Sequence, residues 1–146
     1  MDGYPFDCRI QVRWRDVDAL GHVNNATIVT YLETARTELW RERFGGGSEI
    51  PFVVARVEVT YRRQIRLDDE VRVGLRVADL RGARYTFEYR VEAGGELAAQ
   101  ASTLMAHVRP GEVRPCRIPA DLGLQLASLA GESNPATPPV SRAPAT

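Results

Sequence analysis

The stretch "DVDALGHVNNATIVTYLETARTELWRERF", residues 16–44, decides the fold. Its first ten residues, Asp16 to Asn25, hold two acids, one His and two Asn around a single Gly. From about Thr27 to Phe44 the character changes. Ile28, Leu32, Ala35 and Leu39 recur at helical spacing, with Val29 and Trp40 beside them. Glu33 with Arg36, and Glu38 with Arg41, are spaced to pair on the exposed side. "GGG" at 45–47 ends this helix, because Gly tolerates the left-handed conformations that terminate helices. The spacing predicts a long helix that opens on a knot of hydrogen-bonding side chains.

Upstream of the knot, Ile10, Val12 and Trp14 alternate with Gln11, Arg13 and Arg15, which predicts a half-buried strand. Downstream, Val57, Val59 and Tyr61 alternate with polar residues, and so do Val71, Val73, Leu75 and Val77. Tyr85, Phe87, Tyr89 and Val91 form a third such run, and a softer, Ala-rich run covers about Leu97 to Val108. "EAGGE" between the last two reads as a hairpin turn, and the short links imply antiparallel pairing. "IPADLGLQLASLAG" predicts a short closing helix with Pro119 or Asp121 in its first turn. One long helix inserted after the first strand of an antiparallel set is an α+β pattern. The economical arrangement wraps the sheet around the helix. A single layer of this kind leaves a sheet edge and apolar surface uncovered, so a homodimer or homotetramer is expected.

The chain has 146 residues, typical of one domain, and is 44% hydrophobic. One domain is expected over 1–131. The tail at 132–146, rich in Pro, Ala, Ser and Thr, is expected to be disordered. The 19 basic and 19 acidic residues cancel, which gives no global field for nucleic acid or an anionic membrane. Every basic residue is Arg, a bias best read as genomic. No signal-like amino terminus and no membrane-length apolar run is present, so a cytoplasmic location is expected. Cys8 and Cys116 match no metal or redox spacing, and no metal site is expected.

The knot has two readings. In the first, Asp16 and Asp18 bond the backbone of their own turn, Asn24 or Asn25 caps the helix, and His22 is an ordinary half-buried His. In the second, the unpaired N–H groups and partial positive charge at the helix start stabilise a developing oxyanion beside Asp18. No Ser-His-Asp or Cys-His set is evident in the sequence, which disfavours amide hydrolysis. A thioester is less demanding. Its thiol, with a pKa of about 8–9, departs as the thiolate. An Asp acting as nucleophile or as base for water suffices.

At these residues the sequence resembles a known family. "RWRDVDALGHVNNATIVTYLETAR", residues 13–36, is similar to the signature of hotdog-fold acyl-CoA thioesterases, nearest the 4-hydroxybenzoyl-CoA thioesterase branch. Plant and bacterial acyl-carrier-protein thioesterases share the "HVNN" piece. The resemblance covers about residues 6 to 130. It implies a hotdog fold, an antiparallel sheet wrapped around one long central helix. It also implies hydrolysis of acyl-CoA to a carboxylic acid and coenzyme A, with no separate cofactor.

Roles follow by the same resemblance. Asp18 matches the catalytic carboxylate, and the Asn25 N–H matches the group that polarises the thioester carbonyl. His22 matches a His near the reacting centre, and Asn24 is placed to orient the Asp or a water. Asp16 is expected to hold the turn. Arg84, in "RGARYTF", and Arg114, in "GEVRPCRIP", are the candidates for the coenzyme A phosphates. Asn24 and Asn25 stand where the 4-hydroxybenzoyl branch has aromatic residues, which favours aliphatic acyl chains. The alternatives are an acyl-carrier-protein thioesterase, a non-catalytic acyl-CoA sensor, and a hydratase or dehydratase on the same scaffold.

Overall fold

The alternating runs become strands because their apolar members share one sheet face, on which the long helix is laid. The computed structural model describes residues 1–47 and 50–131. Its elements are β1 (Phe6–Ile10), α1 (Asn25–Arg43), β2 (Phe52–Tyr61), β3 (Val71–Arg81), β4 (Arg84–Ala93), β5 (Glu96–His107) and α2 (Ala120–Ala127). The sheet runs β1-β3-β4-β5-β2, with every neighbouring pair antiparallel. This is the α+β, hotdog-like arrangement that the sequence predicts. Among the described residues no helix is long and apolar enough to cross a membrane.

The α1 stripe is buried as its spacing requires: Ile28, Leu32, Ala35 and Leu39 all lie in the core. Each large apolar side chain buried this way contributes about 1.5–3 kcal/mol before entropy is counted. Val71, Val73, Leu75 and Val77 on β3 and Tyr85, Phe87, Tyr89 and Val91 on β4 are likewise buried. The expected β4–β5 turn closes on Gly94 and Gly95, both at positive φ (58° and 80°), where other residues are strained. The closing helix starts at Ala120, with Asp121 in its first turn as expected and Pro119 just before it.

Four details differ from the sequence reading. The first strand ends at Ile10, and Trp14, expected inside, is 81% exposed. The cause is Asp16. Its Oδ2 accepts the Arg13 N–H (2.9 Å) and its own N–H bonds the Arg13 carbonyl (2.9 Å), which closes a 3₁₀ turn at Trp14–Asp16. Second, β2 does not pair with β3. The link over 62–70 carries the chain across, and β2 becomes an edge strand beside β5. Third, α1 begins at Asn25 rather than Thr27, because the Asn24 side chain caps it. Fourth, Arg36 bonds the Tyr89 hydroxyl (3.1 Å) rather than Glu33, whereas the Glu38–Arg41 pair forms as expected (3.2 Å). The tail at 132–146 lies outside the described residues.

Candidate active site

The polar knot folds into a small loop stitched to its surroundings by backbone bonds. The Asp18 N–H donates to the His22 carbonyl (2.8 Å) and the Gly21 N–H to the Asp18 carbonyl (3.0 Å). Val17 and Val23 bridge across the loop, and the Val23 N–H reaches the Ile65 carbonyl (2.7 Å). Gly21 sits at φ +81°, a left-handed conformation that the reversal needs. Asp16 is buried beneath this loop, where its Oδ2 also accepts the Tyr31 hydroxyl (2.8 Å). Asp16 is therefore the anchor of the turn, the role expected of it.

Asp18 is exposed, and its Oδ1 accepts two backbone N–H groups, from Leu20 (2.9 Å) and His22 (3.2 Å). The carboxylate thus does turn-building work with one oxygen. It also lines an open cleft of about 460 Å³ that reaches His22, Asn24, Asn25, Ile28 and Tyr61. Asn24 Oδ1 accepts the Ala26 N–H (2.8 Å) as the helix cap. The Asn25 N–H, first in the helix, bonds no acceptor among the described residues, as the first turn of a helix dictates. The Tyr61 hydroxyl donates to the Asn25 carbonyl (2.8 Å) and fixes the helix start against the end of β2. The Asx turn and cap of the first reading exist, and they place a carboxylate and a helix start beside one cleft.

The structure brings Asp18, His22, Asn24 and Asn25 together and leaves Arg84 and Arg114 elsewhere. Tyr61 faces Ala99 on β5, while Arg84 faces Ala106. That separation along β5 is roughly 23 Å at ~3.3 Å per residue. Arg114 sits in the loop whose stem, Val108 with Pro115, continues from the same far end. The cations at the Asp18 cleft of the same chain are Arg62 and Arg63, which the sequence reading missed. Arg63 is held by Asp69 (3.2 Å) and Glu96 (3.2 Å), and Arg62 bonds Gln100. The basic run "YRRQIR" at 61–66 was the available signal.

A second cavity, of about 320 Å³, lies along the later half of α1. Trp40, Phe44, Phe52, Tyr85, Phe87 and Met105 line it, with Glu33 and Arg36 at its polar side. One further correction concerns cysteine. Cys116 Sγ stands 3.1 Å from His107 Nδ1, so the fold does assemble a Cys-His pair that the spacing hid.

A profile of the thioesterase-like superfamily matches residues 12–126, from just past the first strand into the closing helix. The chain belongs to this superfamily. Among curated relatives, the acyl-CoA thioester hydrolase YbgC of Escherichia coli O157:H7 is 30% identical over 119 residues, 77% of this chain and 89% of that one. The acyl-CoA thioesterase YbgC of Haemophilus influenzae is 28% identical over 123 residues, 80% of this chain and 90% of that one. Among solved structures, a Thermus thermophilus thioesterase complexed with coenzyme A and Zn aligns with a TM-score of 0.81 and 40% identity. That alignment covers 89% of this chain and 98% of the Thermus chain. As a thioesterase-like chain, the protein carries the superfamily match across the whole polar knot and all of α1.

Proposed function

We propose that the chain hydrolyses acyl-CoA thioesters to a free carboxylic acid and coenzyme A, with the Asp18 carboxylate and the Asn25 N–H as the working pair. The observation that carries this reading is the one cleft shared by that carboxylate and the start of α1. The thioester carbonyl oxygen sits on the Asn25 N–H, with the positive end of the helix behind it. Asp18 either attacks the carbonyl carbon or takes a proton from the water that attacks. By the first route the C–S bond breaks, the thiolate leaves, and water cleaves the acyl-aspartyl anhydride. By the second route the water proton passes through Asp18 to the departing sulfur. Asn24 positions the Asn25 N–H through its cap, and His22 borders the reacting group.

Substrate binding is completed by a second protomer. β2 is an edge strand, with Val57 and Tyr61 41% and 42% exposed. An antiparallel pairing of two β2 edges about a two-fold axis near Arg56 and Val57 sets the Phe52 end of one strand against the Tyr61 end of the other. Arg84 and Arg114 of one protomer then approach the Asp18 cleft of its partner, where they meet the nucleotide phosphates. The acyl chain follows α1 toward the cavity lined by Trp40, Phe87 and Met105, whose apolar walls suit an aliphatic tail.

The test is thiol release from acyl-CoAs of graded length, with one aromatic member and one acyl-carrier-protein thioester. Asp18→Asn keeps an oxygen for the two turn bonds but supplies neither nucleophile nor base. Its turnover is expected to fall by about 10²-fold or more. Normal hydrolysis by this variant overturns the role given to Asp18, whereas no thiol release by the unaltered chain leaves an acyl-CoA sensor.

A further inference from the structure

Away from the Asp18 cleft, the end of β5 carries a second pair of reactive side chains. His107 is the last residue of β5 and is 7% exposed. The chain leaves the strand, turns over 109–114 and returns. Val108 bridges Pro115, and the Cys116 N–H bonds the His107 carbonyl (2.8 Å). This stem holds Cys116 rigidly against the ring. The edge of Phe52 packs on the imidazole, with centroids 5.7 Å apart.

His107 Nδ1 is 3.1 Å from the Cys116 carbonyl oxygen and 3.1 Å from its Sγ. A carbonyl oxygen only accepts, so its contact selects the tautomer with the proton on Nδ1. The same N–H then also points at the sulfur. Cys116 is half-exposed, and Arg114 and Arg117, both exposed, flank it in the chain. Glu112 is the acid of this loop and is also exposed. A partly accessible sulfur in contact with a His, on a loop that carries exposed cations, is the setting of a reactive cysteine. Cys8 is the internal contrast. Burial, with Glu38, Asp7 and Glu42 nearby, pushes its thiol up to about 11.

We propose that Cys116 and His107 form a reactive-thiol site, at the far end of the sheet from the Asp18 cleft of its own chain, that takes small anionic disulfides by thiol–disulfide exchange. The Cys116 thiolate attacks one sulfur of the disulfide. A new bond joins Cys116 to that sulfur, the original S–S bond breaks, and the other half leaves as a thiolate. Cys116 is oxidised to a mixed disulfide and the departing half is reduced. The proton that Cys116 gave up goes to solvent, the departing thiolate takes one from solvent, and the His107 Nδ1–H stays in place as a donor to the sulfur.

The full-length chain tests this at one fixed neutral pH with glutathione disulfide and with an aromatic disulfide that releases a coloured thiolate. Intact mass is expected to show one glutathione adduct on Cys8→Ser and none on Cys116→Ser. Cys116 is expected to react at least about tenfold faster than Cys8, whose thiol is held in its neutral form by burial. In Cys8→Ser, the folded chain should react at least about threefold faster than the urea-unfolded one, after correction with a free thiol in the same urea. His107→Gln should remove that advantage. A folded rate at or below the unfolded rate overturns the proposal even if His107→Gln fails to fold, and so does equal reactivity of Cys8 and Cys116.

Discussion

The Tyr31 hydroxyl donates a 2.8 Å hydrogen bond to Asp16 Oδ2, and this bond ties the second turn of α1 to the loop that carries Asp18. The helix and the carboxylate over its end are thereby one unit. Asp16 also receives the Arg13 N–H, and its carbonyl receives the Asn24 N–H (3.0 Å). Tyr31→Phe keeps the packing and removes one bond to a buried carboxylate. We expect a loss of about 1–3 kcal/mol in stability, since the acceptor stays buried. The urea midpoint measures it, and thiol release should fall with it as the loop loosens. An unchanged midpoint would mean that the anchor lies elsewhere.

Asp18 has two separable tasks, and two substitutions divide them. Asp18→Asn retains an oxygen for the Leu20 and His22 N–H groups, whereas Asp18→Ala frees both. Both variants should lose turnover. Only the Ala variant should also lose stability, by about 0.5–1.5 kcal/mol for bonds at an exposed turn. Thermal unfolding of the two side by side checks this. Equal melting temperatures would show that the turn does not depend on the Asp18 oxygen.

Much of this was legible in the sequence, for physical reasons. The helix followed from Ile28, Leu32, Ala35 and Leu39, whose spacing only a helix can bury. Strands β3 and β4 followed from clean alternation over a face that is buried. The Asp18 loop was visible because Asp, Gly and Asn cluster where a strand hands over to a helix. Trp14 was misplaced because a side-chain bond from Asp16 to the Arg13 N–H outweighs a three-residue alternation. The pairing of β2 with β5 was hidden because a crossover leaves no mark in local periodicity. The Cys116–His107 contact was hidden for a related reason: a closed stem at Val108 and Pro115 sets it, and spacing alone does not show such a stem.

Alkaline pH should weaken the fold. Burial raises the hydroxyls of Tyr31, Tyr85 and Tyr89 above 10.0, and the bond from Tyr31 to Asp16 raises that residue further. Burial raises Cys8 from 9.0 to about 11. In each case the folded value exceeds the unfolded one, so the neutral form is favoured by folding. The contribution is complete below the unfolded values and is lost as pH rises through them toward the folded values. Urea midpoints should therefore hold up to about pH 9 and fall progressively above it. Tyrosinate absorbance of these buried rings should grow only as the protein unfolds. Their full titration in a still-folded chain would contradict the burial.

Arg84 and Arg114 lie at the far end of the sheet from the Asp18 of their own chain, so their part in binding depends on a second protomer. Arg84→Ala with Arg114→Ala should raise the KM for acyl-CoA. It should leave a short thioester without phosphates unaffected, because only the charged end of the substrate is lost. A mixing experiment then assigns the chain that supplies them. Protomers carrying Asp18→Asn are dissociated and reassociated with protomers lacking both arginines. Each homodimer is impaired at both sites. A mixed dimer pairs an intact Asp18 with the arginines of the other chain at one of its two sites. Random reassociation makes half the dimers mixed, so about a quarter of the native activity should return. If the arginines served their own chain, every site in the mixture would keep one defect, and activity would not rise above the average of the two parents. The β2 pairing makes the same demand from another direction. Val57→Arg on the exposed edge should shift the protein toward monomer in sedimentation and remove the recovery in the mixture, because the two ends of the sheet then no longer meet.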